Sequence, residues 1–260
     1  MVYFHQQNNS HVIESLAPRK SQLQRPDPYG KMKTVAANID QMLVTIACEP
    51  APMENLIDRY LVAAELANID AIIVINKMDL IQEYSDQRDA ILTLANRYRQ
   101  IGYHVVTVSS KEANGVDALI PIVTEKLSVF VGQSGVGKSS IIQQLLPDEQ
   151  IKIGEISQST IKGKHTTTHS QLFHFKSGGA FVDSPGIREF GLWHVDEENV
   201  IRGFKEIYAF TDQCKFRNCT HKQEPGCAVQ KALKNGAISQ ERYKSYQRIL
   251  QTINDINIRK

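Results

Sequence analysis

The sequence carries little net charge. Thirty lysines and arginines face 28 aspartates and glutamates, a formal balance of +2 over 260 residues. Bulk charge therefore gives no case for nucleic acid, while local patches stay open. Long apolar runs are also lacking. None approaches the roughly 20 residues that a membrane span requires. The first residues, Met1 to Asn8, have no apolar core of signal-peptide length. The expectation is a cytoplasmic protein with no membrane partner. No repeat or low-complexity tract stands out. Cysteine is scarce, four in all, and three of these (Cys214, Cys219 and Cys227) crowd together near the end. In a cytosolic chain such crowding points to metal before disulfide. Cys48 stands alone after an apolar run and reads as a small core residue.

What is present centres on Gly132-Gln133-Ser134-Gly135-Val136-Gly137-Lys138-Ser139, followed by Ser140. It fits the phosphate-loop pattern G-x-x-x-x-G-K-[ST]. An apolar strand, Leu127 to Val131, leads in, and a helical stretch, Ser139 to Leu146, leads out, which is the context the motif needs. Glycines let the backbone wrap phosphates, and the loop amides and helix N-terminus face the anion. Lys138 would reach the β- and γ-phosphates, and the Ser139 hydroxyl would ligate Mg²⁺.

Around this motif strands and helices alternate. Strands are expected at 42–47, 71–75, 105–108, 127–131, 171–175 and 180–182, and helices at 53–68, 85–101 and 116–126. This argues for an α/β domain with a mainly parallel sheet, its ligands at the carboxyl ends of the strands. Residues 18–33, with three prolines, a glycine and five basic residues, read as a linker. Beyond Glu189 the strands stop, and helices are expected at 200–210, 228–234 and 239–256. The domain reading is a short N-terminal region with a basic linker (1–37), an α/β domain (38–199) and a helical module (200–260).

Each expected strand ends in chemistry. The strand at 71–75 runs into Asn76-Lys77-Met78-Asp79. The Asp79 carboxylate can accept two parallel hydrogen bonds from guanine, a donor pair that adenine lacks, so it selects GTP or GDP over adenine nucleotides. Lys77 can lie along the base, and Asn76 can tie this loop to the phosphate loop. After Val108, the turn Ser109-Ser110-Lys111 offers a backbone amide to the guanine oxygen. After Val182, Asp183-Ser184-Pro185-Gly186 places Asp183 to hold Mg²⁺ through water and the Gly186 amide to meet the γ-phosphate. In Gly163-Lys164-His165-Thr166-Thr167-Thr168-His169, one threonine is expected to complete the Mg²⁺ shell, and Thr167 is the choice taken here. The set Cys214-x4-Cys219-x-His221-x5-Cys227 offers three thiolates and an imidazole, a closed structural zinc site.

The order is unusual. GTPases usually begin with the phosphate loop and end with the base-reading motifs. Here the base-reading motifs at 76–79 and 109–111 come first. Rotation restores the usual order, so the domain reads as circularly permuted, with its D-x-x-G loop leading into the cysteine module. This order, the run Gly163 to Thr168, the run Asp183-Ser-Pro-Gly-Ile-Arg-Glu-Phe-Gly191 and the cysteine spacing resemble the RsgA (YjeQ) family of permuted GTPases. The resemblance implies an RNA-binding N-terminal OB-fold, a central GTPase domain and a C-terminal zinc module. It implies partnership with the 30S subunit and its 16S rRNA in late assembly, with low intrinsic hydrolysis stimulated by the subunit. Residues 1–37 are too few for a closed five-stranded barrel and read as an OB remnant. Ras-like enzymes orient the attacking water with a glutamine after D-x-x-G, and Ile187 stands there instead. The resemblance assigns that role to His165. The alternative is a GTP-dependent RNA or ribosome clamp with little turnover of its own. Nothing demands a dimer, and a monomer is expected.

Overall fold

The computed structural model describes residues 2–7, 10–26, 31–146, 171–183, 195 and 197–258. His165, Thr167 and Gly186 lie outside the described residues, as does Ile187.

The chain begins with two antiparallel hairpins. Strand β1 (Val2–Gln7) pairs with β2 (Ser10–Leu16), and β3 (Gln22–Pro26) pairs with β4 (Met32–Ala37). The stretch expected as a linker therefore carries a strand. Leu23 explains why: it is fully buried and joins Ala36 and Ile39 in the main core. The Ser21 hydroxyl, donating to the Ile39 carbonyl at 2.7 Å, fixes the crossing. Among the described residues the first hairpin has no such anchor. The register of β1 and β2 puts Val2, Phe4, Ile13 and Leu16 on one face, and all four are exposed. Among the described residues these are two separate two-stranded sheets.

The body is a six-stranded sheet in the order β7-β6-β5-β8-β10-β9. Its members are β5 (Gln41–Ala47), β6 (Asp70–Asn76), β7 (His104–Thr107), β8 (Leu127–Val131), β9 (Gln171–His174) and β10 (Ala180–Asp183). All pairs are parallel except β10 with the edge strand β9. Every residue of β5 is buried, as a strand covered on both faces must be. Side chains alternate across it. Met42, Val44 and Ile46 face helices α1 (Glu54–Leu66) and α2 (Ser85–Ile101), meeting Leu61, Leu94 and Tyr98. Leu43 faces the other layer, with Val116, Leu119, Val123, Ile141 and Ile142. That layer contains the short α3 (Ile120–Val123) and α4 (Lys138–Leu145). The helix expected over 116–126 is only a 3-10 turn at Asp117–Leu119 followed by α3. Pro121 sits in the first turn of α3, where its missing N–H costs no hydrogen bond. Gly102 ends α2 in the left-handed conformation at φ +98°.

The C-terminal module packs on α1. The helix expected over 200–210 is broken into α5 (Glu197–Val200), a 3-10 turn at Ile201–Gly203 and α6 (Lys205–Tyr208). The break lets Gly203 approach α1 so closely that a Cβ there would lie 2.5 Å from Val62 Cγ1. Helices α7 (Ala228–Lys234) and α8 (Gln240–Ile258) follow as expected, with the Ser239 hydroxyl accepting from the Arg242 amide at 3.2 Å. Among the described residues no helix is long and apolar enough to cross a membrane.

Candidate nucleotide site and metal centre

Because the sheet is parallel, β6, β7, β8 and β10 deliver their carboxyl ends to one edge. The predicted loops at 76–79, 109–111 and 132–139, and Asp183, therefore share that edge. The phosphate loop runs from β8 to α4. Gly132 sits at φ +136°, and a Cβ there would lie 2.0 Å from the Thr45 carbonyl oxygen, so only glycine fits. Gly137, at φ +90°, caps α4, and a Cβ would meet Asn76 Nδ2 at 2.3 Å. The Lys138 ammonium lies at the loop mouth, donating to the Gly132 and Gln133 carbonyls at 2.8 and 2.6 Å. Ser139 is buried in the first turn, Ser140 and Asp183 are half-buried, and Ser134 and Gly135 are exposed.

Asn76 joins three loops. Fully buried, it donates through Nδ2 to the Val136 carbonyl at 2.9 Å and to the Ser110 hydroxyl at 3.1 Å. Its Oδ1 accepts from the Ser110 amide at 3.0 Å. The expected tie between the base-reading and phosphate loops is thus in place. The Ser109 hydroxyl donates to Asp79 Oδ1 at 2.6 Å and fixes the plane of that carboxylate. Sequence reasoning offered only a backbone role for this turn and missed that bond. Met78 is half-buried, its amide donating to the Val108 carbonyl at 3.2 Å. Lys77 takes the left-handed conformation and donates to the Glu49 carbonyl at 2.8 Å. Lys111 is exposed. Cys48 is buried in the core, as expected. Gln133, expected in the nucleotide site as part of the phosphate loop, brackets residues 51 and 53 with its side chain, a role the motif does not mark. Gln144 of α4 was missed: it donates to the Ser110 and Glu112 carbonyls, both at 3.0 Å, and no motif marks it, because it acts on backbone brought near only by the fold.

The second cluster brings Cys214, Cys219, His221 and Cys227 together, their ligand atoms all within 4.8 Å of one another. His221 Nδ1 lies 3.5 Å from the Cys214 sulfur and 3.7 Å from that of Cys227, and these sulfurs are 4.0 Å apart. A tetrahedral zinc with Zn–S near 2.3 Å and Zn–N near 2.0 Å spaces its ligands about 3.5–3.8 Å apart. The donor set therefore fits a metal ion, and the facing nitrogen is Nδ1. Amides of Ala228 and Gln230 point at the sulfurs of Cys214 and Cys227, at 3.3 and 3.4 Å. Gln230 Nε2 and the Tyr243 hydroxyl donate to the His221 carbonyl at 2.7 and 2.6 Å, holding a residue at φ +60°. Bonds from Thr220, and from the Lys222 amide, hold the Glu224 carboxyl down to about 2, and this carboxylate staples the ligand loop. Burial pushes the Cys219 thiol up to about 12, with the Cys227 and Cys214 sulfurs adding to it against the His221 amide. Burial pulls His221 down, against Glu224. Three crowded sulfurs, the raised Cys219 thiol among them, beside an imidazole pulled down are what a divalent cation would relieve.

Comparison with known proteins agrees with this geometry. The family model described as RsgA GTPase matches residues 16–193. A small ribosomal subunit biogenesis GTPase RsgA of Saccharophagus degradans is 49% identical over 99% of this chain and 76% of its own length. One from Marinobacter nauticus is 53% identical over 94% of this chain and 70% of its own. Among solved structures, YloQ, described as a circularly permuted GTPase, superposes with a TM-score of 0.77 at 33% identity, covering 98% of this chain and 79% of its own. YjeQ from Thermotoga maritima gives 0.77 at 33% identity, covering 94% and 79%. With the permuted motif order, the parallel sheet and the family match in agreement, this chain belongs to the RsgA GTPase family.

Proposed function

We propose that this protein is a GTPase that binds the small (30S) ribosomal subunit and acts in its late maturation, hydrolysing GTP to GDP and phosphate when the subunit completes its site. The observation that carries the reading is the Asn76 junction. One buried amide joins the base-reading loop, the Ser110 turn and the phosphate loop, so guanine selection and phosphate binding belong to one site. Relatives named for small-subunit biogenesis, about half identical over nearly the whole chain, supply the substrate and partner.

Asp79, fixed by Ser109, accepts from the guanine edge, with Lys77 alongside the base. Loop amides from Gly132 to Ser139 cradle the phosphates, and Lys138 exchanges its carbonyl partners for phosphate oxygens. Mg²⁺ bound with GTP would neutralise phosphate charge that develops as the terminal phosphate is transferred. Ser139, Thr167 and Asp183 are the residues proposed to hold it. Gly186 would sense the γ-phosphate, and His165 would orient the attacking water, whose oxygen forms the new bond to phosphorus as the bond to the β-γ bridging oxygen breaks. Zn²⁺ is the metal proposed for Cys214, Cys219, His221 and Cys227, with a structural role because four protein ligands leave no open position. We assign residues 38–199 to the GTPase domain, 200–260 to the zinc module and 1–37 to an OB remnant that contacts 16S rRNA. The protein acts in the cytoplasm as a monomer.

Ile187, in place of the usual glutamine, favours one second reading: a GTP-dependent clamp with little turnover of its own. Phosphate release from GTP, measured with and without 30S subunits, decides. The proposal expects slow hydrolysis alone and stimulation of at least about tenfold, well within what completing a phosphoryl-transfer site contributes, and its loss in His165→Ala. GTP binding with no stimulation selects the clamp.

A further inference from the structure

Helix α1 is where the two nucleotide loops and the metal module meet on one piece of backbone. At its amino end, Gln133 of the phosphate loop brackets the approach to the helix. Its Oε1 accepts from the Met53 amide at 2.9 Å, and its Nε2 donates to the Ala51 carbonyl at 3.2 Å. Gly135 faces Pro50: a Cβ there would lie 3.7 Å from Pro50 Cδ. Lys77, in the base-reading loop, holds the Glu49 carbonyl. Residues 49–53 are therefore gripped by both loops. The Tyr60 hydroxyl, one turn and a half into α1, is pushed up by burial, and the Gly132 backbone opposes this.

The flank of α1 carries the module. Val62 and Ala63 share a core with Phe204, Ile207, Tyr246 and Ile249. Arg242 of α8 pairs with Asp58, Lys205 with Glu65 at 3.1 Å, and Arg59 donates to Thr252 at 3.1 Å. A 13-residue helix is a rod about 20 Å long. Held at its end by the phosphate loop and along its side by the module, it cannot move for one without moving for the other.

From this juxtaposition we infer that Gln133 is a positioning residue: it locks the phosphate loop to the amino end of α1 and so couples phosphate binding to the seat of the metal module. The inference rests on the guanine-nucleotide reading above. Both ends of the Gln133 amide are committed to residues 51 and 53, which leaves its side chain to the scaffold rather than to a ligand. Linkage makes the effect reciprocal: nucleotide tightens the module, and the seated module tightens nucleotide binding.

Hydrogen exchange on the full chain tests this, read over residues 240–250 of α8, with and without GDP and Mg²⁺. Three proteins are compared: wild type, Gln133→Ala and Gln144→Ala. Gln144 also braces the nucleotide loops, but it touches the 110–112 turn and not α1, so a merely structural loosening would show there equally. Coupling worth about one ordinary hydrogen bond sets the scale at about threefold to tenfold. Saturating GDP is expected to slow α8 exchange by that factor in wild type and in Gln144→Ala, and by less than about 1.5-fold in Gln133→Ala. Gln133→Glu keeps the acceptor to Met53, loses the donor to Ala51 and should fall between; it stands in if the alanine variant does not fold. Equal slowing in the Gln133 variant, or none in a wild type that binds GDP, overturns the inference. A wild type that binds no GDP refutes the nucleotide reading itself. The coupling is then judged without ligand: Gln133→Ala must speed α8 exchange about threefold over both other proteins, and equal rates overturn it.

Discussion

Arg242 lies at the centre of the joint between the two large parts of the chain. Its side chain is 1% exposed, as is that of Asp58, and Glu206 is 12% exposed. The guanidinium donates to Asp58 Oδ1 through one nitrogen and to both Glu206 oxygens at 2.6 and 3.0 Å, with its carbon 4.4 Å from the Phe204 ring centre. Burial opposes its charge, and Asp58 and Glu206 outweigh burial, so it stays protonated. In Arg242→Met the hydrocarbon stem is kept and the charge removed. Glu206 can turn part of its carboxylate to water. Asp58 cannot: it keeps only the Tyr98 hydroxyl, at 2.5 Å, and its Oδ2 has no hydrogen-bond partner among the described residues. Removing one partner of a buried ion pair costs about 3–5 kcal/mol. For a chain of this size that is a fall in Tm of roughly 6–20 °C. The assay is differential scanning fluorimetry, with chemical denaturation as a second reading. Asp58→Asn on top of Arg242→Met should recover about 1–3 kcal/mol, because the stranded charge is gone. A loss below about 1 kcal/mol in Arg242→Met, or no recovery in the double variant, would refute the reasoning.

Three further outcomes follow from the geometry. Gly132→Ala drives a Cβ to 2.0 Å from the Thr45 carbonyl, so the loop must shift, and GDP affinity by fluorescence titration should fall at least about tenfold with a stability loss of about 1–3 kcal/mol. Ser109→Ala removes the bond that orients Asp79 and should weaken GDP binding about fivefold to tenfold, leaving the weaker ATP binding unchanged in calorimetry. Metal loading at the cysteine cluster displaces thiol protons, including that of Cys219, held near 12 without metal. Apparent zinc affinity should therefore fall about tenfold per pH unit for each proton released as pH drops, measured by competition with a chromogenic chelator; a flat profile between pH 6 and 8 contradicts the site.

The α/β body was legible because its signals are local. Unbroken apolar runs such as Ala71 to Ile75 mark strands buried on both faces, and Gly102 marks a helix end. The phosphate and base motifs were legible because their chemistry fixes residue type at fixed spacing, and the fold then placed them at one edge. Three local readings missed for the opposite reason. Residues 22–26 looked like linker because prolines and charges flank a single decisive side chain, Leu23, whose burial depends on distant Ile39. The helices expected at 116–126 and 200–210 have helical apolar spacing; the first stops where Thr124 turns extended and Glu125 left-handed, and the second is interrupted at the turn that lets Gly203 approach Val62. Gln144, Gln230 and Arg242 carry no sequence signature, and Gln133 fills a variable position of the phosphate-loop motif, since their partners are backbone or charges brought near by the fold.

The central claim is one guanine-selective site built from motifs in permuted order. Asp79→Asn tests it most directly, measured as binding of GDP and xanthosine diphosphate to wild type and variant. An amide cannot accept both guanine donors but can pair with the second oxygen of xanthine. The account predicts that GDP affinity falls at least about a hundredfold, the scale of an unpaired buried polar group, and that xanthosine diphosphate becomes the preferred ligand. Unchanged GDP affinity in the variant, or equal affinity of the wild type for ADP and GDP, would contradict it.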